Sequence, residues 1–331
     1  MLDVARRAGV TKQTVSNVVR GRQVVSPATR AKVEAAIAEL GYTPNMVARS
    51  LATGTTMTVG FIVPTIAHPF YSEVVEEVED LLEANDYHLL LATTHGDEAR
   101  ALRQLAGLSS RSVDALLVAG DFDLGEYVTP LREQGIPVAL CAWEVDPPDS
   151  LPVVTIDYEK AGHLAGRHLR ELGHDRVAVI ADLPAHRIRV GGVRRALAAD
   201  GMSVPEDWVF SAPEASTESG YEAGERAVPL LRSAGITAVF ASTDAIALGV
   251  MQALRDHGLR IPQDVSVVGI DDIPQSAHAH PSLTTVALPK RQMAREATGL
   301  LLRRIAQPQP DVPSLTLLHP EVVIRASSGP A

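Results

Sequence analysis

At 331 residues the chain exceeds the usual size of one domain, and with 46% hydrophobic but only 4% aromatic residues its cores must come mainly from Ala, Val and Leu. The formal net charge is −10, yet residues 1–58 hold eight Lys/Arg against three Asp/Glu, a local +5 that leaves −15 for the remainder. A lone cysteine, Cys141, excludes an internal disulfide framework, and no apolar run approaches bilayer length, so two or three domains in the cytoplasm are expected.

In chain order, Val4, Ala5 and Ala8 give a first helix a narrow apolar face, and Gly9 is the small residue that turns the chain. Thr11 then caps a second helix by accepting from the amides of its first turn, and Val15 with Val18 or Val19 supplies its inward side. Lys12, Gln13, Thr14, Ser16 and Asn17 are left facing outward, the cationic, amide and hydroxyl types that reach base edges and phosphates in a major groove. Ser26 caps a third helix that has Pro27 at its first position and Gly41 as its stop, with Val33, Ile37 and Leu40 closing a small core. A three-helix bundle that never touches DNA has the same pattern; the local positive charge weighs against it. Only Met1 and Leu2 precede Asp3, so the first helix lacks a capping side chain, at about 1 kcal/mol, unless the true start lies upstream.

Residues 45–52 are too short to stay helical in water and should order only when something buries Val47, Ala48 and Leu51. From Thr58 the pattern changes to short aliphatic runs alternating with amphipathic helices, the signature of parallel sheet covered on both faces. Strands are expected at 59–63, 88–92, 115–119, 137–141, 153–156, 176–180, 238–241, 265–269 and 283–286. That count makes two doubly wound lobes, with a first passage between them near residues 146–149 and later crossings near Asp271 and Pro289. A ligand would bind between the lobes, at the carboxyl ends of the strands.

The run from Asp3 to Ser16 (Asp-Val-Ala-x-x-Ala-Gly-Val-Thr-x-x-Thr-Val-Ser), Val25-Ser26-Pro27 with Thr29-Arg30, and Gly41-Tyr42 with Pro44-Asn45 and Ala48-Arg49-Ser50-Leu51 resemble the LacI/GalR family of bacterial transcription repressors. The resemblance continues through Leu172-Gly173-His174-Asp175-Arg176, Arg189-Val190-Gly191-Gly192-Val193, Ser242-Thr243-Asp244, the run 265–272 and the run 281–286. It implies an all-α helix-turn-helix domain at 1–43, a hinge helix and linker at 44–57, and an α/β two-lobed, doubly wound, periplasmic-binding-protein-like domain at 58–331. It also implies a homodimer on a pseudopalindromic operator in double-stranded DNA, controlled by a small carbohydrate effector, without cofactor, metal or membrane. By the same resemblance Lys12, Gln13 and Asn17 sit where the family reads bases, Thr14, Ser16 and Arg20 where it meets the backbone, and Leu51 where a hinge helix wedges into the minor groove. Leu51 as a linker residue packing on the main domain is the alternative.

For the effector, Arg189 and Asp271 lead, a rigid fork of donors and a strand-end acceptor; Phe70 and Tyr71 match an aromatic contact, and Asp157 and Thr243 polar cleft positions. Helix capping is the rival role for Asp157 and Asp271, and core packing for Phe70. The chain departs from the family in carrying Asn17 and Arg20 where Arg and Asn are usual, so its preferred bases should differ. Thr243 stands for an Asn, Ala215 for an aromatic and Leu288 for a Gln, which thins the hydrogen-bonding set; His95 and His186 could compensate or be structural. No phosphate loop, nucleophile elbow or zinc spacing is present, and His278 with His280 lacks a third ligand, so an enzyme is not expected. A cytoplasmic sugar-binding protein or sugar-processing enzyme on the same fold remains the alternative. The C-terminal residues lack apolar heptads, so no coiled-coil tetramer tail is expected.

Overall fold

The structure, a computed structural model, describes residues 1–19, 24–42, 50, 54–109, 113–120, 131, 133, 135–144, 151–183, 185–199, 201–307 and 314–331. It divides into two compact units, Met1–Met57 and Thr58–Ala331.

The first unit holds α1 (Leu2–Ala8), α2 (Lys12–Val19) and α3 (Pro27–Glu39). Gly9 ends α1 at φ 67°, a left-handed conformation that costs glycine nothing. Thr11 Oγ1 accepts from Thr14 N at 3.1 Å and Ser26 Oγ from Thr29 N at 3.3 Å, so both expected caps form. Met1 provides α1 with no side-chain cap. Val4, Val15, Val18 and Val33 are buried between the helices. Leu40 departs from expectation: it lies past the last turn of α3, at the point where the chain swings into Gly41, and is 45% exposed. Ala36, one turn earlier, takes the core position instead. Arg20, Leu51 and most of the expected hinge helix lie outside the described residues.

The second unit contains two six-stranded sheets. All nine expected strands form, as β1 (Thr58–Val63), β2 (His88–Thr93), β3 (Ala115–Gly120), β4 (Val138–Trp143), β5 (Val153–Ile156), β6 (Val177–Ala181), β8 (Ala238–Ala241), β9 (Ser266–Asp271) and β10 (Thr284–Ala287). Three short strands were not expected: β7 (Val209–Ser211), β11 (Leu315–Leu318) and β12 (Glu321–Val323). The sheets run β2-β1-β3-β4-β5-β11 and β7-β6-β8-β9-β10-β12, parallel throughout except that β12 pairs antiparallel with β10. Each order reverses once, beside β1 and beside β6, and such switch points open a crevice at the carboxyl ends of the strands.

The first lobe's sheet packs against α4 (Pro69–Glu83), α5 (Glu98–Ser109) and α11 (Lys290–Ala306). The second lobe uses α6 (Tyr158–Glu171), α7 (Arg187–Ala198), α8 (Thr217–Ser233) and α9 (Asp244–Asp256), with a short α10 (Pro274–His278) before β10. The passages between lobes differ from expectation in two places. Residues 146–149, outside the described residues, are not the first passage, because the buried β5 returns to the first sheet with Leu140 opposite Val153. The chain leaves that lobe only at Asp157. Asp271 is not a crossing either, since β9 and β10 are neighbours in one sheet. Pro289 is one, between β10 and α11, and β11 to β12 makes another at His319 and Pro320.

Candidate functional site

On α2, Lys12 and Gln13 are exposed while Thr14, Ser16 and Asn17 are half-buried along the same short helix. Gln13 Nε2 donates to Asn17 Oδ1 at 3.2 Å, which pre-sets two amides on one outward edge, and the Thr14 hydroxyl lies 2.9 Å from that of Thr11. Arg7 Nη2 pairs with Glu39 Oε2 at 2.7 Å and ties α1 to α3.

In the second unit a cleft of about 600 Å³ opens between the lobes, a size that suits a small ligand. Phe70, Tyr71, Arg189, Thr243 and Asp271 all line it. Asp157 does not: its Oδ1 caps α6 by accepting from Lys160 N at 2.9 Å, the role any strand-to-helix turn needs filled. Phe70 and Tyr71 follow β1 in the first turn of α4, ring centroids 5.0 Å apart and nearly perpendicular, and both are core as well as lining. His68 caps that helix, its Nδ1 accepting from Phe70 N at 3.2 Å, so a neutral His68 holds its proton on Nε2. That nitrogen faces Asp271 Oδ2 across the cleft at 3.7 Å.

Arg189 sits in the first turn of α7, a place where the helix dipole opposes a cation, and it is almost wholly buried. Glu144, just past β4 in the opposite lobe, offsets both penalties with a bidentate bond: Nε to Oε1 and Nη2 to Oε2, each 2.8 Å. Nη1 donates to Ser242 O at 2.9 Å and to Asp271 Oδ1 at 3.4 Å, and the guanidinium lies 4.8 Å over the ring of Tyr158. Burial would lower the Arg189 pKa, but the Glu144 and Asp271 carboxylates more than offset this and hold it above its ordinary value. Close helix packing fixes the position: a Cβ on Gly162 of α6 would overlap the carbonyl oxygen of Arg189 itself, and one on Gly192 would overlap that of Glu159.

Asp271 has φ 123°, a region that strains any residue with a side chain. Lys290, at the Pro289 crossing, holds it there: Nζ donates to the carbonyls of Asp271 and Asp272 at 2.9 Å each and pairs with Glu73 Oε1 of the first lobe at 2.9 Å. Asp244 lies behind, accepting from Thr285 Oγ1 at 2.5 Å, Ser276 Oγ at 2.6 Å and Ile273 N at 3.0 Å; burial, then the nearby Asp271, pushes its pKa up to about 7. Thr243 uses its hydroxyl to cap α9 through Ile246 N at 3.3 Å. His186 Nδ1 lies 3.0 Å from Ser242 Oγ, and burial, then Arg189, holds its pKa well below the ordinary histidine value. His95 lines the rim, exposed.

Glu144, His68 and Tyr158 are the residues that reading the sequence missed. Each follows a strand at its carboxyl end, and that topological position was the signal that could have found them.

Residues 1–45 match the family model described as bacterial regulatory proteins, lacI family, and residues 166–328 match that of the periplasmic binding protein-like domain. The ribose operon repressor of Escherichia coli K12 is 37% identical over 318 residues, covering 93% of each chain. The chain belongs to the LacI family of bacterial transcriptional regulators. Among solved LacI-family structures it is similar to the transcriptional regulator CelR in complex with cellobiose (TM-score 0.73, 34% identity, 98% of both chains). It is also similar to the lac repressor dimer bound to operator and the anti-inducer ONPF (TM-score 0.85, 28% identity, 99% of this chain and 98% of that one). The ribose operon repressor and the lac repressor are transcriptional repressors, not enzymes.

Proposed function

We propose that the protein is a cytoplasmic, homodimeric repressor that reads a pseudopalindromic operator through α2 and releases or grips it according to a sugar held between the lobes. Lys12, Gln13 and Asn17 meet base edges, while Thr14, Ser16 and Arg20 meet the backbone. Leu51 wedges into the minor groove from a hinge helix at 44–57 that links a reader at 1–43 to the effector domain at 58–331. Phe70, Tyr71, Arg189, Thr243 and Asp271 hold the effector. One observation supports this reading above others: a buried polar constellation, Glu144, Arg189 and Asp271, spans the two lobes, and its Arg189 and Asp271 line a ligand-sized cleft. A ligand there changes the angle between lobes, and by linkage the DNA must favour or oppose that angle by the same free energy.

The test is binding of purified protein to labelled DNA from upstream of its own gene, at fixed salt, against a panel of sugars. Saturable, sequence-specific binding altered by one sugar is expected, and Asp271→Asn should abolish that response while operator affinity stays intact. Leu51→Ala should lower operator affinity far more than non-specific affinity; equal losses would remove the wedge role. Absence of specific binding sinks the repressor reading.

A further inference from the structure

We infer that the cleft selects an uncharged polyol ring and rejects the anionic forms of the same molecule, whether phosphate esters or sugar acids. This rests on the effector-binding reading above and names its ligand class. Arg189 is the only Lys or Arg among the described residues lining the cleft, and its charge is already paired with Glu144 and Asp271, which leaves it to a ligand as a hydrogen-bond donor and not as a free cation. All three of its nitrogens donate, two to Glu144 and the third to Ser242 O and Asp271 Oδ1. An incoming phosphate or carboxylate would have to displace a bidentate carboxylate from a buried guanidinium, costing Glu144 its charge-assisted pair.

Every other formally ionised side chain on the described walls is acidic: Asp182, Glu214 and Asp271, with Glu144 directly behind Arg189. His186, buried beside Arg189 and bonded to Ser242, supplies no compensating charge. An anion thus meets wall carboxylates and, among the described residues, no Lys or Arg other than the already paired Arg189, a juxtaposition that disfavours it. A hydroxyl meets the opposite situation. Asp271, a cleft-lining residue, keeps its buried Oδ2 beyond hydrogen-bond length of His68 Nε2, 3.7 Å away, so a ligand hydroxyl can donate to it. Phe70, Tyr71 and Tyr158 add ring faces against which the C–H side of a sugar can lie. A free sugar and the sugar of an uncharged nucleoside share this chemistry, and the assay separates them.

The experiment is calorimetric titration of the full-length protein with matched pairs: D-ribose and ribose 5-phosphate, D-glucose with glucose 6-phosphate and with glucuronate, and adenosine with its 5′-monophosphate. At least one neutral member should bind, with its anionic partner at least about 100-fold weaker. An anionic member binding as tightly as its neutral partner, or tighter, overturns the ligand class while leaving the effector reading standing. Failure of every member in both charge states removes the class and the effector reading together. Glu144→Gln frees part of Arg189 and removes a carboxylate, and should narrow the neutral-to-anion ratio at least about 10-fold. Glu214→Gln, an exposed wall carboxylate that holds no hydroxyl in this reading, serves the same purpose should the first variant melt early. A ratio unchanged in a folded variant overturns the electrostatic basis.

Discussion

Both lobes set five parallel strands in one order, switch at the same place and add a sixth strand at the edge, but they hold their helices and polar groups differently. In the first lobe, α4 and α11 meet over aliphatic side chains and are tied at the surface by Glu77 with Arg291 and Arg295, and by Glu76 with Arg291. In the second, α6 meets α7, and α8 meets α9, at glycines where backbone touches backbone. That lobe also buries Arg189, Asp244 and Asp271, and clasps the chain's end through His168 and His174. The first lobe supplies the cleft with a platform of rings and one carboxylate; the second supplies the oriented donors and acceptors. A network of buried charges needs a backbone that cannot shift, which the glycine contacts provide.

The charge pairs give the largest contrast. Glu144→Ala leaves the buried Arg189 with only the longer Asp271 contact to offset its charge, and should cost about 3 kcal/mol, because removing the bidentate partner of a buried pair strands most of the other. Glu76→Ala breaks an ion pair whose carboxylate is 64% exposed and should cost less than about 1 kcal/mol. Urea denaturation of the two variants measures the difference; equal losses would mean that the interlobe pair is no more than a surface contact.

Helix packing comes next. Gly162→Ala drives a methyl group into the Arg189 carbonyl, where no rotamer can give way, and should cost about 3 kcal/mol while loosening effector binding. Gly107→Ala, on an exposed turn of α5 with nothing near the added carbon, should stabilise by up to about 1 kcal/mol through helix propensity. Melting temperatures moving in opposite directions would sharpen the contrast between lobes; a tolerated Gly162→Ala would erase it.

The parts of this architecture that were readable in the sequence are those written locally. The nine strands are continuous aliphatic runs bounded by turn residues, and the caps at Thr11 and Ser26 are single side chains three residues from the amides they serve. Arg189 and Asp271 were picked out by motif and lie within bonding distance of each other. Glu144 was invisible because its meaning depends on an arginine 45 residues away, in the other lobe. The first passage was misplaced for a related reason: the Pro- and Asp-rich run at 146–149 reads as a linker, and only the register of β5 beside β4 shows the chain turning back. Edge strands such as β11, with Leu315 and Leu317 exposed, lack the burial pattern that announces an interior strand. Asp157 had the residue type for either capping or binding, and position alone decided for the cap.

The smallest expected effect separates titrating groups that pull the second lobe in opposite directions. His174 bridges Thr237 Oγ1 at 2.8 Å and the Gly329 carbonyl at 3.0 Å, and burial lowers its pKa, as it does for His168 and, with Arg189, for His186. A depressed histidine binds fewer protons folded than unfolded, so its contribution is present at neutral pH and declines as pH falls below about 6.5. Asp244 works the other way: its folded pKa, raised to about 7, exceeds the ordinary aspartate value of 3.8, so the folded state holds the extra proton and stability declines as pH rises between those values. With three histidines against one carboxyl, the wild type should lose stability on acidification from pH 6.5. Asp244→Asn should steepen that loss by up to ~1.4 kcal/mol per pH unit, the work of one proton. His174→Gln should cost about 1–2 kcal/mol at pH 7 and flatten the acid limb, since a bond is lost but a titrating site goes with it. Thermal melts from pH 5 to pH 8 test both, and an acid limb unchanged by His174→Gln would place the proton uptake elsewhere and leave the C-terminal clasp electrically neutral in function.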